Sequence, residues 1–392
     1  MRQMLLEIKE FFSEEKIYLF LLVFVLFFYL AAYLTYGKMH EGKRHDSSER
    51  IESAWQKIPS SIPSPKGAAS PNLDSRQTAP AQEGVLRGEK LKDGGELWKQ
   101  ARILLAFSGA ILIWSMVLNV SALRRWLAGR ELIRRADRLL HISWGIRELI
   151  KVGILFFWFG IILNLVLSVL RILFFSNASG YLLIFFHTFL LDLLAVWFMV
   201  FHVRKSGARV RDLIGFELPQ IPLREVWLGI SAYVTILPAF FGMLIVLVYA
   251  AGLVQYEPPP HPLVNFFLEE KLPAWLVGFS FALACVVGPV VEEIFFRGFF
   301  YPVLRKYWGM RWAMVVTAGL FAAVHENAFS FFPIFFLGLA LCYLYEKRKN
   351  LTSCISLHIA HNVAFIAYFF LLKNLSVSTG LSFLFLRQGG HV

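Results

Sequence analysis

Charge is what this 392-residue chain has little of. Asp, Glu, Lys and Arg make up 17% of it, against about 25% in a soluble domain. With 57% hydrophobic residues and a mean hydropathy of +0.58, that shortage excludes a globular protein with one large core and marks a multi-pass membrane protein. Acidic residues are scarcer than basic ones, 27 against 39, for a formal net charge of +12. The surplus does not point to nucleic acid, because the basic residues cluster in short loops between apolar runs, the positive-inside signal. Only three cysteines occur, Cys285, Cys342 and Cys354, with no CxxC spacing. This excludes a disulfide framework and a zinc cluster, and leaves them as packing residues. No inverted repeat or matched pair of Gly/Pro-broken spans is present, which weakens a transporter reading. The zinc-hydrolase HExxH pattern is also missing: His325-Glu326-Asn327-Ala328-Phe329 has Phe where the second His belongs.

What is present is a series of apolar runs long enough to span a bilayer. Ile17 to about Tyr36 reads as a retained anchor, and the sequence leaves a cleaved signal open. Residues 37–100 are rich in Pro, Ser, Gly and Ala and read as a disordered external linker. Ala101–Leu123 is the second span. The Arg-rich block from Arg124 to Arg138 predicts a basic helix at the cytoplasmic surface. Val152–Phe175, Tyr181–Val203 and Trp227–Ala251 follow, and then a loop carrying Pro258, Pro259, Pro260 and Pro262. The last four spans are Pro273–Phe296, a short one at Trp312–His325, Phe329–Tyr345, and Thr352 to about Leu372. Threaded alternately with the N-terminus inside, every basic loop falls on one side. The expectation is an all-α multi-pass bundle of about nine spans in the cell membrane. Its parts are an anchor (1–36), the linker, added helices and basic loops (101–220), a core (221–375) and a tail (376–392).

The polar residues inside these runs are the functional candidates, since ionisable groups at membrane depth are costly. Glu292 and Glu293 end the sixth span, with Arg297 four residues on. On a helix Glu293 and Arg297 form an i,i+4 pair, while Glu292 lies about 100° away and stays available. His325 ends the seventh span. The ninth carries His358, His361 and Asn362, of which His358 and Asn362 share a face. A Glu beside a His can activate water, and a second His with an Asn can donate to a developing oxyanion. This fits amide hydrolysis in or at the edge of the membrane. Glu292, His325 and His358 also have the donor types of a two-His, one-carboxylate metal site, which the sequence leaves open. Asn164 and Arg171 read as interhelical pairing groups, and His187 and Asp192 as groups that either pair or sit near the site. Threading puts Glu292 near the cytoplasmic end of its span and His325 late in an outward-going one. Those placements meet only if one helix is broken or tilted.

The segment GPVVEEIFFRGFFYPVLRKYW resembles the EExxxR motif of the CPBP family of intramembrane proteases, which includes the Rce1-type CAAX prenyl endopeptidases. LFAAVHE, with Phe321 and His325, resembles its FxxxH motif, and His358 with Asn362 matches HxxxN. The likeness runs over about residues 225–372. It implies a glutamic-type endopeptidase with a metal-free site and no cofactor. Glu292 with His325 would activate water, His358 and Asn362 would hold the oxyanion, and Glu293 and Arg297 would be a supporting pair. The implied partners are the lipid bilayer and a membrane protein or peptide substrate. Relatives that mature peptides, confer bacteriocin immunity, process sorting tails or act as scaffolds keep a non-catalytic binding role as the alternative.

Overall fold

A computed structural model describes residues 1–35, 94–136, 142–174, 180–215, 222–256, 266–267, 272–325 and 328–379. Most of the expected linker, the proline loop, Glu326, Asn327 and the end of the tail lie outside these residues. Every regular element among the described residues is helical. The helices are α1 (Arg2–Glu14), α2 (Lys16–Thr35), α3 (Gly94–Leu127), α4 (Ile146–Phe174), α5 (Gly180–Lys205), α6 (Val210–Ile214), α7 (Leu223–Leu253), α8 (Ala274–Ala323), α9 (Ala328–Arg348) and α10 (Thr352–Thr379). Eight of them are long and apolar enough to cross a membrane. The fold is a multi-pass helical bundle.

Nine expected spans become eight apolar runs because the sixth and seventh are one helical run, α8. It does not stop at Phe296 but continues to Gly309, which takes φ 73° and ψ 174°. That conformation is open to glycine and strained for other residues. Here the chain doubles back. Arg297 lies twelve residues before Gly309 and Phe321 twelve after it, so each arm rises about 18 Å. The two meet at one level: the Arg297 guanidinium carbon sits 4.4 Å from the Phe321 ring centre, and Phe296 contacts the same ring at 5.2 Å. Glu292 and His325, each about one turn further from Gly309, are thereby brought to similar depth. This break is what the sequence-based threading required.

The first arm of α8 contains two π-type stretches, Leu283–Val287 and Ile294–Phe300. A proline lies two residues after each, Pro289 and Pro302. Proline offers no N–H and crowds the preceding turn, so the ladder widens there. Gly288 N–H reaches back five residues to the Leu283 carbonyl, and Tyr301 N–H to that of Phe296. Glu292 and Glu293 sit on the short α-helical segment between the two stretches.

Close packing sets the neighbours. A Cβ on Gly338 of α9 would lie 3.0 Å from Ala318 Cα on the returning arm of α8. On α7, a Cβ at Gly229 would collide with the Ser353 carbonyl and Ser356 of α10. The central cluster, including Tyr233, Phe296, Phe321, Leu341 and Leu357, joins α7, α8, α9 and α10. A second cluster packs α1, α4 and α5 against Phe299 and Val303. Cys285, Cys342 and Cys354 are free, buried thiols within this packing.

The Arg-rich block departs from the expected surface helix. Gly129 adopts φ 65° and closes α3, and residues 130–136 are not helical. They are tied to the end of α9 instead. Ala136 N–H bonds the Lys347 carbonyl at 2.8 Å, Lys347 pairs with Glu131 at 3.1 Å, and Arg348 donates to the Arg134 carbonyl at 2.7 Å. Arg348 also pairs with Glu225 of α7. Backbone carbonyls and the Glu131 carboxylate satisfied by a neighbouring helix end outweigh the local helical pattern.

Candidate active site

Glu293 and Arg297 have fully buried side chains and pair at 2.8 Å. Burial of either alone would leave an uncompensated charge, so the i,i+4 pair is a condition of the helix being there. Arg297 also donates to the Gly338 carbonyl at 3.3 Å, which the bare Cα of Gly338 leaves within reach. The guanidinium face stacks on Phe321, a cation–π contact that adds to the pairing.

His358 on α10 joins the two carboxylates. Its Nδ1 lies 2.9 Å from Glu293 Oε1, and its Nε2 lies 3.8 Å from Glu292 Oε2. A carboxylate held by Arg297 only accepts, so the hydrogen between Glu293 and His358 is on Nδ1. In the neutral tautomer, Nε2 is the unprotonated nitrogen and faces Glu292. The Glu292 side chain is 36% exposed, and its Oε2 is shielded without a hydrogen-bond partner. The separation of 3.8 Å is too long for a direct hydrogen bond.

His325 stands at the end of α8. Its Nδ1 bonds the Phe321 carbonyl at 2.7 Å, and its ring lies 5.1 Å from that of Phe321. His358 packs on the same ring at 5.6 Å, so Phe321 is the floor on which both histidines rest. No hydrogen bond links His325 to Glu292 among the described residues; the carboxylate meets His358 first. Asn362 donates to the Ala284 carbonyl at 2.8 Å. That carbonyl belongs to the first π stretch, where the widened ladder frees backbone groups for other partners. Asn362 therefore ties α10 to α8 with one N–H and retains a second.

From the sequence, Asp192 either pairs or sits near the site. It has no hydrogen-bond or ion-pair partner among the described residues and lies within electrostatic reach of Glu292. The packing explains this. α5 runs alongside α8, with Phe189 against Phe279 at 5.8 Å and Phe198 and Met199 packed with Phe299 and Val303. Asp192 falls between those contacts, level with Glu292. The sequence leaves a place near the site open for Asp192, but spacing alone does not set it there, one hundred residues away on another helix. His361 is likewise drawn in, edge-on to Tyr233 and Phe240. Among the described residues, no three His, Cys, Asp or Glu side chains converge as a metal-binding group.

Residues 273–364 match the family model described as type II CAAX prenyl endopeptidase Rce1-like. Among curated proteins, the chain is similar to UPF0177 protein YbdI of Lactococcus lactis subsp. lactis (strain IL1403), 26% identical over 106 residues. UPF0177 protein YaiF of the same strain is 28% identical over 105 residues. Each likeness covers 26% of this chain, and 55% and 45% of the relatives respectively. The chain thus spans about half the length of the curated relatives it matches. No solved structure matches it. The matched stretch, over which the chain is similar to the Rce1-like family, runs through Glu292, Arg297, Phe321, His325, His358 and Asn362.

Proposed function

We propose that this protein is an intramembrane endopeptidase of the cell membrane that hydrolyses a peptide bond in a membrane protein or peptide. The observation that supports this reading is the division between adjacent carboxylates. Glu293 is engaged by Arg297 and His358, whereas Glu292 Oε2 has no partner and faces His358 Nε2.

A water hydrogen-bonded to Glu292 and His358 is aligned for attack. Glu292 takes its proton as the oxygen adds to the scissile carbonyl carbon, and the carbonyl electrons move onto oxygen. The remaining N–H of Asn362 faces the developing oxyanion. Collapse breaks the C–N bond, and the proton returns from Glu292 to the leaving amine. His325, on the shared Phe321 floor, is a second acceptor for the water. Glu293 and Arg297 act by holding His358 in one tautomer and orientation.

The test compares membrane and secreted protein termini by mass spectrometry in cells carrying wild type or Glu292→Gln at equal abundance. Loss of specific new termini in the variant is the expected result, and those termini name the substrate. Identical profiles, with a phenotype that survives both Glu292→Gln and His325→Ala, would replace the enzyme by a non-catalytic scaffold.

A further inference from the structure

Three histidines meet around Phe321 and α10, and their surroundings give them different tautomers. A carbonyl and a carboxylate only accept, so His325 carries its hydrogen on Nδ1 toward the Phe321 carbonyl, 2.7 Å away. His358 carries its hydrogen on Nδ1 toward Glu293 Oε1, 2.9 Å away. In each neutral ring the other nitrogen, Nε2, is then a bare acceptor. Neither histidine, while neutral, can donate to an oxyanion.

His361 has the opposite arrangement. Its ring stands edge-on to Tyr233 at 5.7 Å and to Phe240 at 5.2 Å, within electrostatic reach of His358 and His325. Its Nδ1 is sealed from solvent with no hydrogen-bond partner, while Nε2 is not sealed. A buried N–H without an acceptor is costlier than a buried lone pair without a donor. The hydrogen therefore belongs on Nε2, where a partner can reach it. The aromatic rings on α7 hold that donor in place before any substrate arrives.

We propose that His361 is a further catalytic residue, its Nε2–H donating a hydrogen bond to the tetrahedral oxyanion alongside the free N–H of Asn362. No proton leaves His361 in this step. The proton from water goes to Glu292, the carbonyl electron pair moves onto oxygen, and His361 stabilises that charge as a neutral donor. The role rests on the endopeptidase reading above. It also moves oxyanion stabilisation from His358, whose Nε2 is an acceptor, to its neighbour on the next face of α10.

The experiment has two arms. Histidine labelled with 15N, in the full chain in lipid nanodiscs at neutral pH, reports which ring nitrogen is protonated, with the signals assigned by His361→Phe, His325→Gln and His358→Gln. The expected result is a protonated Nε2 on His361 and a protonated Nδ1 on His325 and His358. In the second arm, His361→Phe keeps an aromatic ring against Tyr233 and Phe240 but cannot donate. Its kcat, on a peptide spanning the terminus found in the Glu292→Gln comparison, is expected to fall about 10²–10³-fold, as for loss of one oxyanion donor. KM, the pH profile and abundance are expected to stay unchanged. A protonated Nδ1 on His361, or an unchanged kcat in His361→Phe, overturns the assignment while proteolysis by the wild type stands. Absence of any cleavage by the wild type overturns the endopeptidase reading, and the role of His361 with it.

Discussion

Glu293 Oε1 accepts from His358 Nδ1 at 2.9 Å and from Arg297 at 2.8 Å, so one carboxylate oxygen holds both the internal cation and the ring that faces Glu292. Removing it differs in kind from removing its neighbour. Glu293→Ala leaves Arg297 buried and unpaired, an expected loss of about 3–5 kcal/mol. Glu292→Gln changes a half-exposed, unpartnered group and is expected to stay within about 0.5 kcal/mol of wild type. Thermal unfolding of the two variants in the same detergent, read beside their activity, separates support from chemistry.

Asn362 makes a bond that a purely chemical role would not need. Asn362→Leu keeps the heavy-atom count and the branch at Cγ but orphans the Ala284 carbonyl, which is expected to cost about 1–3 kcal/mol. Unfolding of this variant tests the structural share, and a variant with full stability but no activity would mean that the bond to Ala284 carries little weight.

Gly338 is expected to tolerate no side chain. The new Cβ of Gly338→Ala meets Ala318 Cα at 3.0 Å, and relieving the overlap is expected to cost about 1–3 kcal/mol. Because the Gly338 carbonyl also receives Arg297, Gly338→Ala should lower activity more than a control substitution on the lipid-facing side of α9. The measurement is specific activity normalised to folded protein.

Gly309 is constrained differently, for nothing lies within 4 Å of a Cβ built there. Its substitution acts through the backbone alone, and Gly309→Ala is expected to cost about 1–3 kcal/mol of conformational strain. Gly309→Val should be worse, and Gly309→Asn no milder than Ala because the ψ of 174° lies outside the left-handed well that Asn tolerates, an order that a thermal-melt series can check.

Much of this fold could be read from composition and spacing. The apolar runs, the Glu293–Arg297 pair and the freedom of Glu292 follow from hydropathy and helical periodicity. The helix reversal inside α8 was harder. Gly309 is flanked by Trp308 and Met310, with no second turn residue to mark a break, and only the equal-depth requirement of Glu292 and His325 pointed to one. The partners of His358 and Asn362 were not legible either. Spacing puts them on one face of α10, but which carboxylate His358 meets depends on the path of α8, and the carbonyl bound by Asn362 exists as an open acceptor only because Pro289 widens the preceding turn. Asp192 and the α7 rings around His361 arrive through tertiary packing, which local pattern does not encode.

The fold-back at Gly309 makes α8 a hairpin ruler, with Arg297 and Phe321 at equal counts from the bend. One residue deleted between Arg297 and Gly309 would turn everything before it by about 100° and slide it by about 1.5 Å relative to the returning arm. Arg297 would then lose its seat on Phe321, and Glu292 would face a neighbour other than His358. Restoring the count on the opposite arm would correct the height but not the rotation. Chain length through this stretch is therefore held by angle as well as by distance, from Ala284 through His325.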